Sequence, residues 1–156
     1  MKKSVRVATI HDFDLIYEML RDDLYEQGVL HRFKHSKEGF KDLIFGENPK
    51  ATFLILEIND KPAGFMNYSI DFRNITVNLL ANLYVNDLFV KKSFRRMKGG
   101  TLLINKIKEI AKKEKCGRIE FLTLAENSAA LAFYKNHLKI KIISDKLHYM
   151  RLELDT

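Results

Sequence analysis

One junction constrains the fold of this chain more than any other. YVNDLFV, Tyr84 to Val90, runs through KKSFRRMKGG, Lys91 to Gly100, into TLLINKIKEIAKKEK, Thr101 to Lys115. The first segment is rich in β-formers. The last places Leu103, Ile104, Ile107, Ile110 and Ala111 on one face and lysines on the other, the stripe of a helix lying on a sheet. A strand that enters a glycine-containing loop and then a helix directs several unpaired backbone N–H groups at one point, where the helix dipole also favours negative charge. Gly99 and Gly100 let an anion approach the backbone and are expected to supply positive φ, while Arg95, Arg96 and Lys98 add formal charge. An arginine fork suits phosphate oxygens well. Taken alone, so short a motif fits a phosphate site or a solvated basic turn ahead of an ordinary amphipathic helix.

The remaining elements follow from the same kind of pattern. VRVATI, Val5 to Ile10, is a short strand, and Asp12 stands at a helix N-cap ahead of FDLIYEMLRDDLYEQG, which Gly28 ends. SKEGFKDLIFG predicts a shorter helix capped by Ser36, and Pro49 separates it from the buried strand ATFLILEI. Asn59-Asp60-Lys61-Pro62 makes a turn to GFMNYSIDF, so that these two strands form an antiparallel hairpin; Asn78 to Val90 is a third strand of the same sheet. RIEFLTL is a further strand, SAALAFYKNHL a compact helix after Asn127, and KIKIIS and LHYMRLEL read as strands around a turn at Asp145-Lys146. The class is α/β or α+β with a mixed sheet.

Composition bounds the organisation. A chain of 156 residues, 46% hydrophobic and 30% charged, has the apolar content of one domain with a core, expected over residues 1–156. Two prolines, seven glycines and no low-complexity tract give no linker. No apolar run approaches the length of a membrane span, so a soluble, cytoplasmic protein with no membrane partner is expected. The single cysteine, Cys116, cannot form an internal disulfide and reads as an inert thiol. His31 and His35 lie four apart but have no evident third partner, so no metal is expected. A net charge of +7 fits an anionic ligand. Nucleic acid is a poor candidate, because the Lys106 to Lys115 helix carries Glu109 and Glu114 where base-reading side chains would be needed.

At this point the sequence resembles a known family. The segment from Tyr84 to Leu122 looks like the acetyl-CoA-binding core of the GNAT superfamily of N-acetyltransferases, whose Arg-x-x-Gly-x-Gly/Ala pattern maps onto Arg95, Lys98 and Gly100. AENSAALAFYKNHL, Ala125 to Leu138, is similar to a second signature, in which an asparagine opens a helix that ends in a Phe-Tyr pair. FGENP at Phe45 to Pro49, Gly64-Phe65 and YVNDLFV resemble the spermidine/spermine (diamine) acetyltransferase branch.

The resemblance implies a largely antiparallel, mixed sheet flanked by helices, with acetyl-CoA held at a splayed strand pair. It implies backbone pairing of Leu88, Phe89 and Val90 with the pantetheine arm, and a pyrophosphate held by Arg95, Arg96, Met97, Lys98, Gly99, Gly100 and Thr101. Asn127 and Ala130 would line the cofactor, and Tyr134 would protonate the departing thiolate. The activity implied is transfer of an acetyl group to a primary amine of a small polyamine or diamine-like acceptor, by direct attack in a ternary complex and without metal. A homodimer is implied as well. Alternatives are a catalytically silent acetyl-CoA sensor and an enzyme for another amine or a protein N-terminus.

Two positions depart from the family pattern. Lys98 replaces a glycine, so its side chain either joins the phosphate cage or distorts the loop. Asn86 stands where the diamine branch has a glutamate, and an asparagine amide cannot take the amine's proton. Asp87 follows it, but strict strand alternation would turn Asp87 to the opposite face. A water chain to solvent is the other route for that proton. Asp22, Asp23, Tyr25 and Glu26 form an acidic and aromatic cluster suited to a cationic acceptor, or a solvated helix face; Tyr25, Glu26, Asn86 and Asp87 are the acceptor-binding candidates.

Overall fold

The computed structural model describes residues 1–73, 75–77, 79–143 and 148–154. In chain order it contains β1 (Lys3–Val7), a 3-10 turn (Ile10–Asp12), α1 (Phe13–Glu26), a second 3-10 turn (Leu30–Arg32), α2 (Lys37–Phe45), β2 (Thr52–Ile58), β3 (Lys61–Asp71), β4 (Ala81–Val90), a third 3-10 turn (Lys92–Phe94), α3 (Gly99–Lys113), β5 (Cys116–Phe121) and α4 (Ser128–Leu138). The strands form one sheet in the order β1-β2-β3-β4-β5, antiparallel except for the parallel pair β4 and β5. The chain divides into two compact units, Met1–Leu122 with the whole sheet and Thr123–Thr156 with α4. Among the described residues, no helix is long and apolar enough to cross a membrane.

Local chemistry sets the element ends. Gly28 adopts φ +71°, a left-handed turn that costs glycine nothing, and closes α1 by donating its N–H to the Tyr25 carbonyl at 3.0 Å. Ser36 caps α2, accepting from the Gly39 N–H at 3.0 Å. Asn59 and Asp60, at φ 51° and 60°, make the tight turn between β2 and β3, a conformation that Asn and Asp tolerate best among side-chain-bearing residues. Asp12 stands at the N-cap of α1 as expected, yet its carboxylate does not cap the helix. It accepts both terminal nitrogens of Arg6, at 2.8 and 2.9 Å, and the Thr9 N–H at 2.8 Å, while Arg6 Nε reaches Glu57 at 3.0 Å. The Arg6 hydrogen bonds hold the Asp12 carboxyl down to about 2.

The sheet is covered on both faces. On one, Phe53, Ile55, Phe65 and Phe89 pack with Phe13, Ile16, Met19 and Leu20 of α1 and Phe40 and Ile44 of α2. Strand alternation puts Leu54, Leu56, Met66, Leu83 and Val85 on the other, where the buried Leu103, Ile104, Ile107 and Ala111 of α3 lie. A Cβ on Gly99 would fall 2.6 Å from Leu56 Cδ2, so any other residue there would have to displace the buried Leu56 side chain.

The C-terminal pattern reads differently in the structure. The described residues of KIKIIS and LHYMRLEL lie in no strand, and Tyr149, Met150, Leu152 and Leu154 are exposed. Alternating side chains favour a strand only where a neighbouring backbone completes the ladder and one face is covered. The expected turn at Asp145-Lys146 lies outside the described residues.

Candidate functional site

The site is built around the upper half of β4. Its parallel register with β5 runs from Ala81↔Cys116 to Val85↔Phe121 and stops, whereas its antiparallel register with β3 continues to Gly64↔Val90. Within the unit Met1–Leu122, residues Asn86 to Val90 are therefore strand-paired along one edge only. That stretch contains Leu88, Phe89 and Val90. Its position is fixed from behind: Phe89 is buried in the core, and β3 approaches so closely that a Cβ on Gly64 would sit 2.3 Å from the Phe89 carbonyl oxygen. An open, rigid strand edge offers alternate N–H and C=O groups to an extended ligand.

The same stretch contains an irregularity that strict alternation cannot foresee. Asn67 pairs with Asp87 and Tyr68 with Val85, so Asn86 is the extra residue of a β-bulge. Asn86 Nδ2 donates to Ser69 Oγ at 3.2 Å, and Asn67 Nδ2 donates to Asp87 Oδ2 at 2.6 Å. Ser69 and Asn67 are two apart on β3 and share a face. The bulge thus brings Asn86 and Asp87 to one face of the sheet, the face covered by α1, and corrects the expectation that they point apart.

Beyond β4 the loop turns by means of its cations. Arg96 and Lys98 adopt φ 63° and 61°, whereas Gly99 and Gly100, expected to supply positive φ, already belong to the right-handed α3. Glycine's permissiveness is spent on helix–sheet packing at Gly99, and the left-handed turns fall to side-chain-bearing residues. Lys98 is the N-cap of α3, with no side-chain cap and no acid in the first turn. The N–H groups of Gly99, Gly100 and Thr101 precede the first α-helical bond, Leu102 N–H to Lys98 O at 3.1 Å. Arg96 and Lys98 are exposed beside them and Met97 is half-buried.

Arg95 has a different partner from the one its position in the motif suggests. Its Nε donates to the Val90 carbonyl at 2.8 Å, and its guanidinium bonds the Glu26 carboxylate of α1. Arg95 therefore clamps the end of β4 to α1, and it occupies two groups, Val90 O and Glu26, that were expected to meet ligands. Tyr25 is 74% exposed.

One residue of this face was present in the sequence only as part of an acidic cluster. Asp23 is 5% exposed, in register with the buried stripe Phe13, Ile16 and Leu20 of α1. Gln27 Nε2 donates to its Oδ1 at 2.8 Å, while Oδ2 is buried with no hydrogen-bond partner among the described residues. Burial pushes the Asp23 carboxyl up to about 7, with the charges of Asp87 and Glu26 adding to the rise and the Gln27 hydrogen bond and Arg95 opposing it. Burial also raises Asp87, against the Asn67 hydrogen bond. The signal in the sequence was a carboxylate at the next position of an apolar helical stripe.

In the second unit, Asn127 caps α4, accepting from the Ala130 N–H at 3.2 Å, so the two residues expected to line the cofactor are bonded to each other. The Tyr134 ring lies tilted against that of Phe133, centroids 5.6 Å apart, and Phe133 also meets the His137 ring at 5.4 Å.

A mixed sheet whose one parallel partner, β5, ends at Phe121, and whose β4 runs on toward a helix N-terminus without a side-chain cap, frames this site. Residues 13–138 match the family described as the acetyltransferase (GNAT) family, and the chain belongs to it. It is a GNAT-type acetyltransferase. It is 27% identical over 136 residues to thialysine N-epsilon-acetyltransferase of Mus musculus, spanning 84% of this chain and 80% of that one. It is 26% identical over 106 residues to spermidine/spermine N(1)-acetyltransferase-like protein 1 of Homo sapiens, spanning 65% of this chain and 15% of that protein. These relatives accord with the diamine-branch resemblance. An integron cassette protein from the mobile metagenome of V. cholerae has the same fold, with a TM-score of 0.78 at 25% identity, covering 99% of this chain and 94% of that one.

Proposed function

We propose that the protein transfers the acetyl group of acetyl-CoA to a primary amine of a small polyamine or diamine-like acceptor, by direct attack in a ternary complex. The observation that carries this reading is the edge of β4 from Asn86 to Val90, left unpaired by β5 and leading to the uncapped N-terminus of α3. Leu88 and Phe89 would hold the pantetheine arm by backbone hydrogen bonds. The N–H groups of Gly99, Gly100 and Thr101 would take the pyrophosphate, with Arg96 and Lys98 adding charge from exposed positions. Met97 is half-buried in this turn, Arg95 and Val90 fix its approach, and Asn127 and Ala130 set the start of the helix that carries Tyr134. Acetyl-CoA, the donor substrate, supplies an activated thioester carbonyl. The chain supplies Tyr134 as the acid for the leaving thiolate, and Tyr25, Glu26, Asn86 and Asp87 as the polar lining for a cationic acceptor. The two units serve as one domain in this reading, which the family match supports because it runs across Leu122.

The test is a panel of amines, from diamines to thialysine and an aminoglycoside, assayed by thiol release beside a titration of acetyl-CoA. Binding is expected to weaken as salt rises, because Arg96 and Lys98 are exposed and exposed charges are screened. Turnover is expected with diamine-like acceptors above the rest. Tight acetyl-CoA binding without turnover on any amine would instead identify a silent homologue, a reading that Asn86 favours by lacking a proton-accepting group.

Lys98 tests the anion site separately. A left-handed conformation costs a side-chain-bearing residue roughly 1–2 kcal/mol. Lys98→Gly is therefore expected to be more stable to denaturant by about 1 kcal/mol and, because it loses an ammonium, to bind acetyl-CoA several-fold more weakly in a calorimetric titration. Tighter binding by the glycine variant would show the lysine to be an obstruction.

A further inference from the structure

The sheet face that carries Asn86 continues along the lower half of β4 as a line of polar side chains. Ser69 and Asp71 follow Asn67 at alternate positions of β3, and the register sets Ser69 opposite Tyr84 and Asp71 opposite Asn82. On the other side, Glu120 and Arg118 of β5 stand opposite the same two residues of β4. Contacts join the line. Asn86 Nδ2 donates to Ser69 Oγ at 3.2 Å, and the Arg73 guanidinium carbon lies 4.5 Å from the centroid of the Tyr84 ring. Arg73 Nη2 and Nε reach Asp71 Oδ2 at 2.7 and 2.8 Å. An aromatic ring and a carboxylate thereby hold one arginine over the sheet, a single side-chain row from Asn86.

The charges on this face bear on what the acceptor is. A bare polyamine is a string of cations and calls for carboxylates that no other cation holds. Glu26, Asp71 and Glu120 border the face, and each is paired with an arginine: Glu26 with Arg95, Asp71 with Arg73 at 2.7 Å and Glu120 with Arg118 at 3.5 Å. Such a lining presents both signs side by side. Its complement is a ligand that also carries both, a carboxylate for the guanidinium fork and an ammonium for the carboxylate next to it. The spacing agrees. Tyr84 and Asn86 are two residues apart, about 7 Å of strand, and the four-carbon stem of an extended basic amino acid sets its terminal amine roughly 7 Å from its carboxyl carbon.

We infer that Arg73 reads a carboxylate on the acceptor, and that the acceptor is a basic α-amino acid or a similar zwitterion presenting its side-chain amine at Asn86. Asp71, beside the fork, takes the α-ammonium. The inference rests on the acetyl-transfer reading above and narrows its diamine-like acceptor to one that carries a negative group. Arg73 meets the end of the acceptor remote from the reacting amine, so it sets specificity and takes no part in the chemistry.

L-lysine and 1,5-diaminopentane differ by that one carboxylate and provide the test. In thiol-release kinetics, kcat/KM for lysine is expected to exceed that for the diamine by about 10-fold or more, the effect of one hydrogen-bonded charge pair. In Arg73→Gln this preference is expected to disappear. Both amines meet the same variant, so any loss of folded protein cancels from the ratio. Calorimetric titration of each amine into protein saturated with coenzyme A reads the same preference without turnover. A diamine used as well as lysine, or better, overturns the zwitterionic acceptor and leaves acetyl transfer standing. A lysine preference that survives Arg73→Gln overturns the role of Arg73. If neither amine is turned over but lysine binds the more tightly, the acetyl-transfer reading fails and the site remains. If neither binds, the inference falls.

Discussion

Replacing Tyr134 with phenylalanine is expected to lower turnover by about 100-fold while leaving acetyl-CoA affinity nearly unchanged. The substitution removes one hydroxyl and keeps the ring that meets Phe133. Packing in α4 is thereby preserved, and an effect confined to kcat reports a group that acts in the transition state and not in ground-state binding. General acids contribute ~100-fold to ~10,000-fold, and a thiolate is already a good leaving group, so the low end is expected. Thiol release measured with a competent amine checks it. A packing role gives the opposite pattern, an unchanged rate with a slight loss of stability, and full activity in the variant would remove Tyr134 from the mechanism.

Raising the pH from about 4 to about 7 is expected to destabilise the protein, and Asp23→Asn to abolish much of that slope. The Asp23 carboxyl is raised from 3.8 to about 7 by burial. Between those values the folded state holds a proton that the unfolded state has released, so unfolding releases a proton and stability falls as pH rises, by up to ~1.4 kcal/mol per pH unit. The contribution is fully present below the unfolded value and lost as pH passes through the folded one. Asp12 has the opposite sign: its carboxyl is lowered from 3.8 to about 2 by Arg6, so the stability it adds is present above the unfolded value and lost as pH falls through the folded one. Denaturant unfolding of both proteins checks the pair of statements. At pH 8 Asp23→Asn is expected to be more stable than the parent by a few kcal/mol, since the amide still accepts from Gln27 and leaves no buried charge. At pH 4 the two are expected to match. Equal stability at both pH values would mean that Asp23 meets water or a cation in solution.

How much of this was legible in the sequence follows from the range of the forces involved. Local chemistry was readable: the Ser36 and Asn127 caps, the Gly28 stop, the Asn59-Asp60 turn and the apolar stripe of α3 all depend on residues within a turn or two of one another. The resemblance carried the family and the region of the proposed anion site, because the motif at Arg95 to Gly100 is contiguous. Four features needed the assembled sheet. The bulge at Asn86 arises from the register between β3 and β4, and it decides that Asn86 and Asp87 share a face. The partner of Arg95 is Glu26, far away in sequence and brought near only by α1 crossing the sheet. Gly99 is a packing glycine because Leu56 lies beneath it, which leaves the left-handed turns to Arg96 and Lys98. Alternating apolar residues in KIKIIS and LHYMRLEL satisfied the strand pattern, yet a ladder requires a second backbone that no local pattern can supply. What the sequence determined by itself was the local chemistry of the caps, turns and apolar stripes; which elements meet, and therefore which carboxyl burial raises and which arginine is tied to Glu26, was decided by contacts between residues distant in the chain.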